Sequence, residues 1–439
     1  MTPSRAAGPK RLVHQYLRQA FSFLPRAMRF AMYRSFVDCN PKPDPRLVLK
    51  IAETKEELEA CFRLLHDSYV GSGFMKPHPS GMRINIYHAL PTTTTLCAKF
   101  DGEVVGTLSL IRESVFGFPL QSEFDLQEVR EKKGRIAEAS ALAVHPKFRN
   151  TGGTILFPLM KFMYEYCTTL FDTRHLVIAV NPNRIEMYES LLFFERLKQA
   201  TVENYDFANG APAIGASVDL HQSPVIFKQH YAGKTRRKNL YQYFMRSQLS
   251  NIVMPGRRYF TTNDPVMTPV LLDYFFNHAT PTFRNLDERD RALLHSIYNL
   301  PGYKSVLPAV FSESSIQVRQ RKHQRYSLKC PGSFSAVGAA TNKTDVYALR
   351  VVELSDDGFL AYSKSPLPVN VWGQASIRLG KDERSIMKVM VIRGRHNGTR
   401  GSYGFKLAES DLAWRKLVGA LKAGSTQSDL TNATQFLLD

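Results

Sequence analysis

Arg135-Ile-Ala-Glu138-Ala-Ser140-Ala-Leu-Ala-Val144, continued by His-Pro-Lys-Phe-Arg149-Asn-Thr-Gly152-Gly153-Thr154, is the stretch that decides the fold of this 439-residue chain. Its first ten residues read as a strand ending in small and apolar groups. A glycine pair then opens a helical pattern from Thr154 to about Phe171. Glycines let backbone N–H groups approach a ligand, and a helix N-terminus adds positive potential, so a strand–glycine–helix junction can cradle an anion. Arg149, Gly152, Gly153 and Thr154 are the candidate cradle. Glu138, a carboxylate within an apolar strand, is the candidate general base; pairing with Arg135 or Arg112 is its plainer alternative. Backbone N–H groups around Ala141–Val144 are candidate oxyanion donors.

The pattern on either side is mixed α/β. Val48–Ile51 reads as a strand, and Thr54 with Glu57 three residues on starts a helix through Cys61, Leu64 and Leu65 towards Tyr69. Leu96–Phe100, Asp101-Gly102 and Val104–Ile111 form a hairpin signal. Leu176–Val180 is a strand and Ile185–Phe194 a helix. His66 and Asp67, on the first helix, read as surface groups.

The flanks differ in composition. Residues 1–45 form a basic amphipathic segment ending in the linker Asn40-Pro-Lys-Pro-Asp-Pro45, with two short helical pieces broken near Pro25. It reads as docked on the next domain, with membrane-surface contact the alternative. Residues 46–229 are the α/β domain. Residues 230–316 read as a helical connector: Tyr241, Phe244, Met245, Leu249 and Ile252 recur at helical spacing, and helices follow over Val270–His278 and Leu286–Tyr298. The basic run Lys234-Thr-Arg-Arg-Lys238 reads as a solvated face, not a nucleic-acid site.

Residues 317–424 carry short strands at Tyr326–Cys330, Tyr347–Leu354, Phe359–Ser363, Gln374–Leu379, Ile386–Arg393 and Ser402–Leu407, then a closing helix over Asp411–Leu421. This spacing suits a small antiparallel barrel; residues 425–439 are a tail. Arg321 and Arg325 precede the first strand, and Glu353, Ser355 and Gly358 surround a hairpin turn. Guanidinium forks suit phosphates and guanine edges, and an acidic acceptor suits guanine N–H donors.

A hydrophobic share of 44% and a charged share of 22% exclude a disordered chain. Five dispersed cysteines without a Cys-x-x-Cys pair argue against a disulfide framework or zinc ribbon, and no metal is expected. No apolar run is long enough to span a bilayer, so a cytoplasmic place is expected, with the inner membrane surface a further contact of the N-terminal segment. The net charge of +19 sits at the ends: residues 1–50 carry ten Lys/Arg against two Asp/Glu. Such a surface attracts anionic partners.

Two resemblances sharpen these readings. Arg149-x-x-Gly152-Gly153-Thr154, with Asn181-Pro-Asn-Arg-Ile-Glu-Met-Tyr188 after the next strand, resembles the GNAT acyltransferase fold. The Glu138-x-Ser140-x-Leu-x-Val144 strand and the block from Phe62 to Phe74 resemble FeeM-type N-acyl amino acid synthases and the related acyl-homoserine-lactone synthases. This resemblance implies that Asn181 holds the phosphopantetheine arm and Tyr188 protonates the leaving thiolate. Gly153-Thr154 departs from the wider GNAT pattern and fits an acyl carrier protein donor better than acyl-CoA. The Arg321/Arg325 pair with Glu353, Ser355 and Gly358 resembles the PilZ domain, which implies cyclic di-GMP binding.

The expected fold is therefore a GNAT-like domain, a helical connector and a PilZ-like antiparallel β-barrel with a closing helix. The expected function is transfer of a fatty acyl group from acyl carrier protein to the amine of an amino acid, regulated by cyclic di-GMP. The alternatives are a catalytically lapsed scaffold acting through protein contacts and an acyl-homoserine-lactone-type signal synthase.

Overall fold

The structure is a computed structural model that describes residues 24–132, 134–149, 151–171, 173–205, 211–254, 260–261, 267–298, 301–310, 326, 328–337, 344–379, 383–396 and 401–422. Arg321 and Arg325 lie outside these residues, as do the first helical piece of the N-terminal segment and the tail.

The first half is a seven-stranded sheet in the order β1-β2-β3-β4-β5-β7-β6, made of Leu47–Ile51, Thr93–Phe100, Glu103–Arg112, Arg135–Val144, Thr173–Val180, Glu195–Tyr205 (β6) and Ala211–Asp219 (β7). Every recorded pairing in it is antiparallel except β4 with β5. A parallel pair needs a crossover, which here is helix Leu156–Leu170. That helix and the helices Arg26–Ser35, Lys55–Gly71, Pro182–Leu192 and Ser223–Tyr231 are named in chain order: α1 (26–35), α2 (55–71), α3 (156–170), α4 (182–192) and α5 (223–231).

Strand alternation divides the core. Leu96, Leu110, Ala137, Leu176, Ile178 and Ala216 pack with α3, whereas Ile111, Ile136, Val177 and Ala213 pack on the opposite face. Helix α2 starts as its capping signal predicts, with Thr54 Oγ1 accepting the Glu57 N–H at 3.2 Å. Burial opposes ionisation of Glu57, but Lys50 and Lys99, each 2.8 Å away, hold its pKa down to about 2.

The segment α1 is docked on the domain. Arg26 pairs with Glu189 and Arg29 with Glu186, both on α4, and Arg34 Nε donates to the Ser190 carbonyl at 2.9 Å. Among the described residues, no helix is long and apolar enough to cross a membrane.

The stretch 230–310 holds helices where Val270–His278 and Leu286–Tyr298 are expected, the latter as Glu288–Ile297, but departs from the expected connector over Tyr241–Ile252. Helical spacing over Tyr241–Ile252 yields only one π-helical turn, Gln242–Arg246. The next residues are captured by the exposed edge of β1: the Leu49 N–H donates to Asn251 O and the Val253 N–H to Leu49 O, each at 2.8 Å. Both backbone groups of Leu49 on this sheet edge thereby gain partners. The segment over Val270–His278 also ends as a π-helical turn, Asp273–His278. Phe275, Phe276, Phe283 and Leu294 then complete a core with Leu58, Phe62 and Leu90 of the α/β domain.

The second half is a closed barrel of six antiparallel strands: Leu328–Val337 (β9), Thr344–Leu354 (β10), Gly358–Ser363 (β11), Trp372–Arg378 (β12), Arg384–His396 (β13) and Gly401–Leu407 (β14). β10 pairs with both β11 and β9, which closes the ring. A two-residue strand, Phe260–Thr261 (β8), pairs with β9 and also lies against α3, so the barrel and the α/β domain share a seam. The closing helix, Leu412–Lys422 (α6), buries Trp414, whose Nε1 donates to the Ser355 carbonyl at 2.9 Å.

Gly358 is required by space, because a Cβ there would collide with the Phe405 carbonyl oxygen of β14. Gly358→Ala should therefore destabilise the ligand-free barrel by about 3 kcal/mol, the upper end of overpacking costs. Thermal unfolding of the full chain checks this.

Candidate functional site

The parallel pair β4–β5 holds only part of its length. Its register runs from Arg135↔Thr173 to Glu138↔Val177 and then ends. Beyond that point β4 stays paired with β3, and β5 with β7, so the seam opens inside the sheet.

A cavity of about 240 Å³ occupies the opening, lined by Glu138–Leu142 of β4 and by Leu176 and Ile178–Asn181 at the β5 end. It touches both faces of the sheet. On one face stand Glu138, Ser140, Tyr69 and Tyr205; on the other, Met160, Met163, Val218, Leu220, Phe227 and Phe244 make an apolar chamber.

Opposite Leu108 the strand β4 carries an extra residue, and Ala141 takes up the left-handed conformation at φ 54°. Such a bulge re-aims the local backbone groups. A non-glycine residue held there costs about 1–2 kcal/mol, and here it sits on the cavity wall.

Glu138 is 1% exposed. Desolvation pushes its pKa up to about 8, although the Leu120 N–H, 3.1 Å from Oε2, and the Ser140 hydroxyl both favour the charged form. Arg112, its alternative partner, donates from Nη1 to Thr94 Oγ1 at 2.8 Å and from Nη2 to the Pro91 carbonyl. The carboxyl is therefore mostly protonated at neutral pH and becomes a base above it.

Of the other candidates, Tyr188 and Asn181 line the cavity, whereas Arg149, Gly152, Gly153 and Thr154 are not among its lining residues. Tyr188, on α4, lines the cavity edge-on to Phe194, and burial pushes its pKa up to about 12. Asn181 lines it too, while its Oδ1 caps α4 through the Asn183 N–H at 3.0 Å.

Gly152 and Gly153 both have positive φ, 68° and 80°, and a Cβ on Gly153 would strike the Phe157 ring. The helix starts at Leu156, two residues later than expected, because these conformations are not helical and Thr154 is spent on a hydroxyl contact with Thr151. Arg149 folds back from the turn, donating to Val144 O at 2.8 Å and Ser68 Oγ at 2.9 Å.

His66 corrects its sequence reading. It is buried, accepting the His78 N–H on Nε2 at 3.0 Å with Nδ1 towards Asp67. Tyr69, Tyr205 and the chamber residues beyond Leu220 escaped the sequence reading, since nothing in their spacing marks them as cavity walls.

In the barrel, Ser355 Oγ donates to Asp357 Oδ1 at 2.9 Å and Gly358 O at 3.1 Å, closing the β10–β11 turn. Glu353 lies beside the β10 bulge. These contacts give Ser355 and Gly358 structural duties that stand without any ligand.

Comparison with known proteins finds a similarity within the first half. Residues 60–219 match the family described as N-acyl amino acid synthase FeeM. This part of the chain is similar to that family of acyltransferases. The match spans a little over a third of the chain.

Among solved structures, FeeM from uncultured soil microbes is 23% identical over 42% of this chain and 95% of its own, with a TM-score of 0.35. The CoA-dependent acyl-homoserine lactone synthase BjaI is 18% identical over 48% of this chain and 95% of its own, at 0.32. ElaA of Escherichia coli is 13% identical over 39% and 99%, at 0.28. No curated protein matches the chain. The strand order and the open β4–β5 seam give this domain its GNAT-like arrangement.

The burial of Glu138 has a sign that can be measured. An unfolded carboxyl ionises near the ordinary 4.5 and the buried one near about 8, so between these values the unfolded state holds fewer protons. Stability then falls as pH rises across that window. Glu138→Gln should be more resistant to urea than the parent protein, by a margin that widens from pH 5 to 8.

Proposed function

We propose that the acyltransferase domain moves a fatty acyl group from the phosphopantetheine of an acyl carrier protein to the amine of an amino acid. The observation that carries this reading is the single cavity through the open β4–β5 seam, with a buried carboxylate on one face and an apolar chamber on the other. An amine needs a base and an acyl chain needs a dry groove.

In this mechanism the ionised Glu138 takes a proton as the amine attacks the thioester carbonyl. The oxyanion is held by backbone N–H groups at the β4 bulge, around Ala141–Val144. Collapse of that intermediate expels the thiolate, and Tyr188 supplies its proton. Gly152 and Gly153 with Thr154 hold the pantetheine phosphate, Asn181 steadies the arm, and Arg149 adds positive charge at the turn.

Support for a carrier-protein donor comes from the connector. Arg237 pairs with Asp38 at 2.6 Å, and an Asp38 carboxylate oxygen lies 3.9 Å from where a Cβ on Gly152 would stand. The exposed run Lys234–Lys238 thus lies beside the cradle and suits an acidic partner.

The barrel is proposed as the regulatory part, binding cyclic di-GMP through Arg321, Arg325, Glu353, Ser355 and Gly358. This rests on the PilZ-like motif and on the closed antiparallel barrel that carries its turn. We also place the protein in the cytoplasm, with α1 near the inner membrane surface.

Lipids from cells overproducing the full chain should contain a new N-acyl amino acid that disappears in Glu138→Ala. Its absence from the parent strain would favour the lapsed scaffold. With purified enzyme, kcat/KM should climb as pH rises through about 8, because the active form is the carboxylate. Calorimetry should detect cyclic di-GMP binding that is lost in Arg321→Ala and Arg325→Ala; unchanged affinity in both would remove those residues from the site.

A further inference from the structure

The apolar chamber is not closed by the acyltransferase domain alone. Opposite the strands, its wall includes Phe227 of α5 and Phe244 and Met245 of the π-helical turn, all beyond residue 219 where the family match ends. The turn is held by the Ser247 N–H donating to Gln242 O, five residues back, at 2.8 Å. Short π-helical turns are rare and recur at functional sites.

Phe244 is 5% exposed and meets Phe227 and Tyr164 edge-on. Its carbonyl accepts from Lys161 Nζ, 3.1 Å away on α3. Lys161 is 1% exposed and is neutralised by Glu165 at 2.6 Å. Placing an ammonium in a core is costly unless it is paired and hydrogen-bonded. Here that charge pins the backbone of the one turn that lends two side chains to the chamber.

We propose that the turn Gln242–Arg246 is the end-stop of the acyl chamber, and that Phe244 and Met245 set the longest acyl chain accepted. The inference rests on the apolar chamber being the acyl site. A chain entering from the open seam runs away from β4 and β5 and meets this wall. Lys161 acts as a positioning residue that keeps the wall in one place.

The test uses the full chain with acyl carrier protein loaded with saturated acyl groups of graded length, products being read by mass spectrometry. Met245→Ala and Phe244→Ala should move the preferred length upward, kcat/KM rising about fourfold for each further methylene accommodated. Met245→Trp should move it downward. An unchanged preference in Met245→Ala and Met245→Trp, with native-like melting, overturns the end-stop.

Calorimetric binding of free fatty acids of graded length gives a second readout that needs no turnover. A length limit that shifts in the variants upholds the end-stop even if the parent protein makes no product, an outcome that would instead count against the proposed reaction. A limit that does not shift rejects it.

Discussion

The open seam between β4 and β5 is the constraint around which the acyltransferase domain is organised. A sheet that loses hydrogen bonds in its interior needs compensation on either side. Here β4 remains bonded to β3 and β5 to β7 past the point where they part. The gap is then a property of the sheet, not of a loop, and its walls are as rigid as strands. At the gap stand a carboxyl deprived of water, a bulge that turns the backbone, and Met160, Met163 and Tyr164 of α3. Glu138 is tolerated because Leu120 and Ser140 satisfy part of its hydrogen-bonding capacity. The remaining desolvation is the source of its basicity.

Much of this was legible because local and global signals agree. The strand Arg135–Val144 was read to its ends, as its small apolar residues and the glycine pair both mark boundaries. The Thr54–Glu57 cap and the Asp101-Gly102 hairpin carried their own geometry. Barrel strand β11 alternates strictly between inward and outward residues, whereas β10 and β13 carry bulges that interrupt the alternation. By contrast β6 and β7 were invisible. β6 shifts register against β7 twice, between Arg196 and Thr201 and again between Val202 and Tyr205, which erases the period-two pattern.

Within the connector, Tyr241–Ile252 departs from its helical expectation for a different reason. Tyr241, Phe244, Met245, Leu249 and Ile252 do sit at helical spacing, but tertiary demands divide them. The first part lines the chamber, and the last part is claimed by the β1 edge. Burial of His66 was equally unreadable, since it depends on the N–H of His78 folding over it. Of the candidate site, Glu138, Asn181 and Tyr188 come together on one cavity, whereas Tyr205 reaches it from the unread strand β6 and Tyr69 from a helix that was read but not as a cavity wall. Ser355 and Gly358 teach the opposite caution, because a turn motif can be fully accounted for by Trp414 and the close approach of β14.

The capture of residues 249–253 by β1 also bears on how this chain is made. The strand Leu47–Ile51 leaves the ribosome about two hundred residues before the segment that covers its edge, and at about 5–20 residues per second that interval is roughly 10–40 s. Cys39 likewise waits for Arg237, whose carbonyl accepts its N–H at 2.7 Å. Throughout that interval an apolar sheet edge stands without its final partner, so the nascent chain is a natural client for chaperones until the connector has been synthesised.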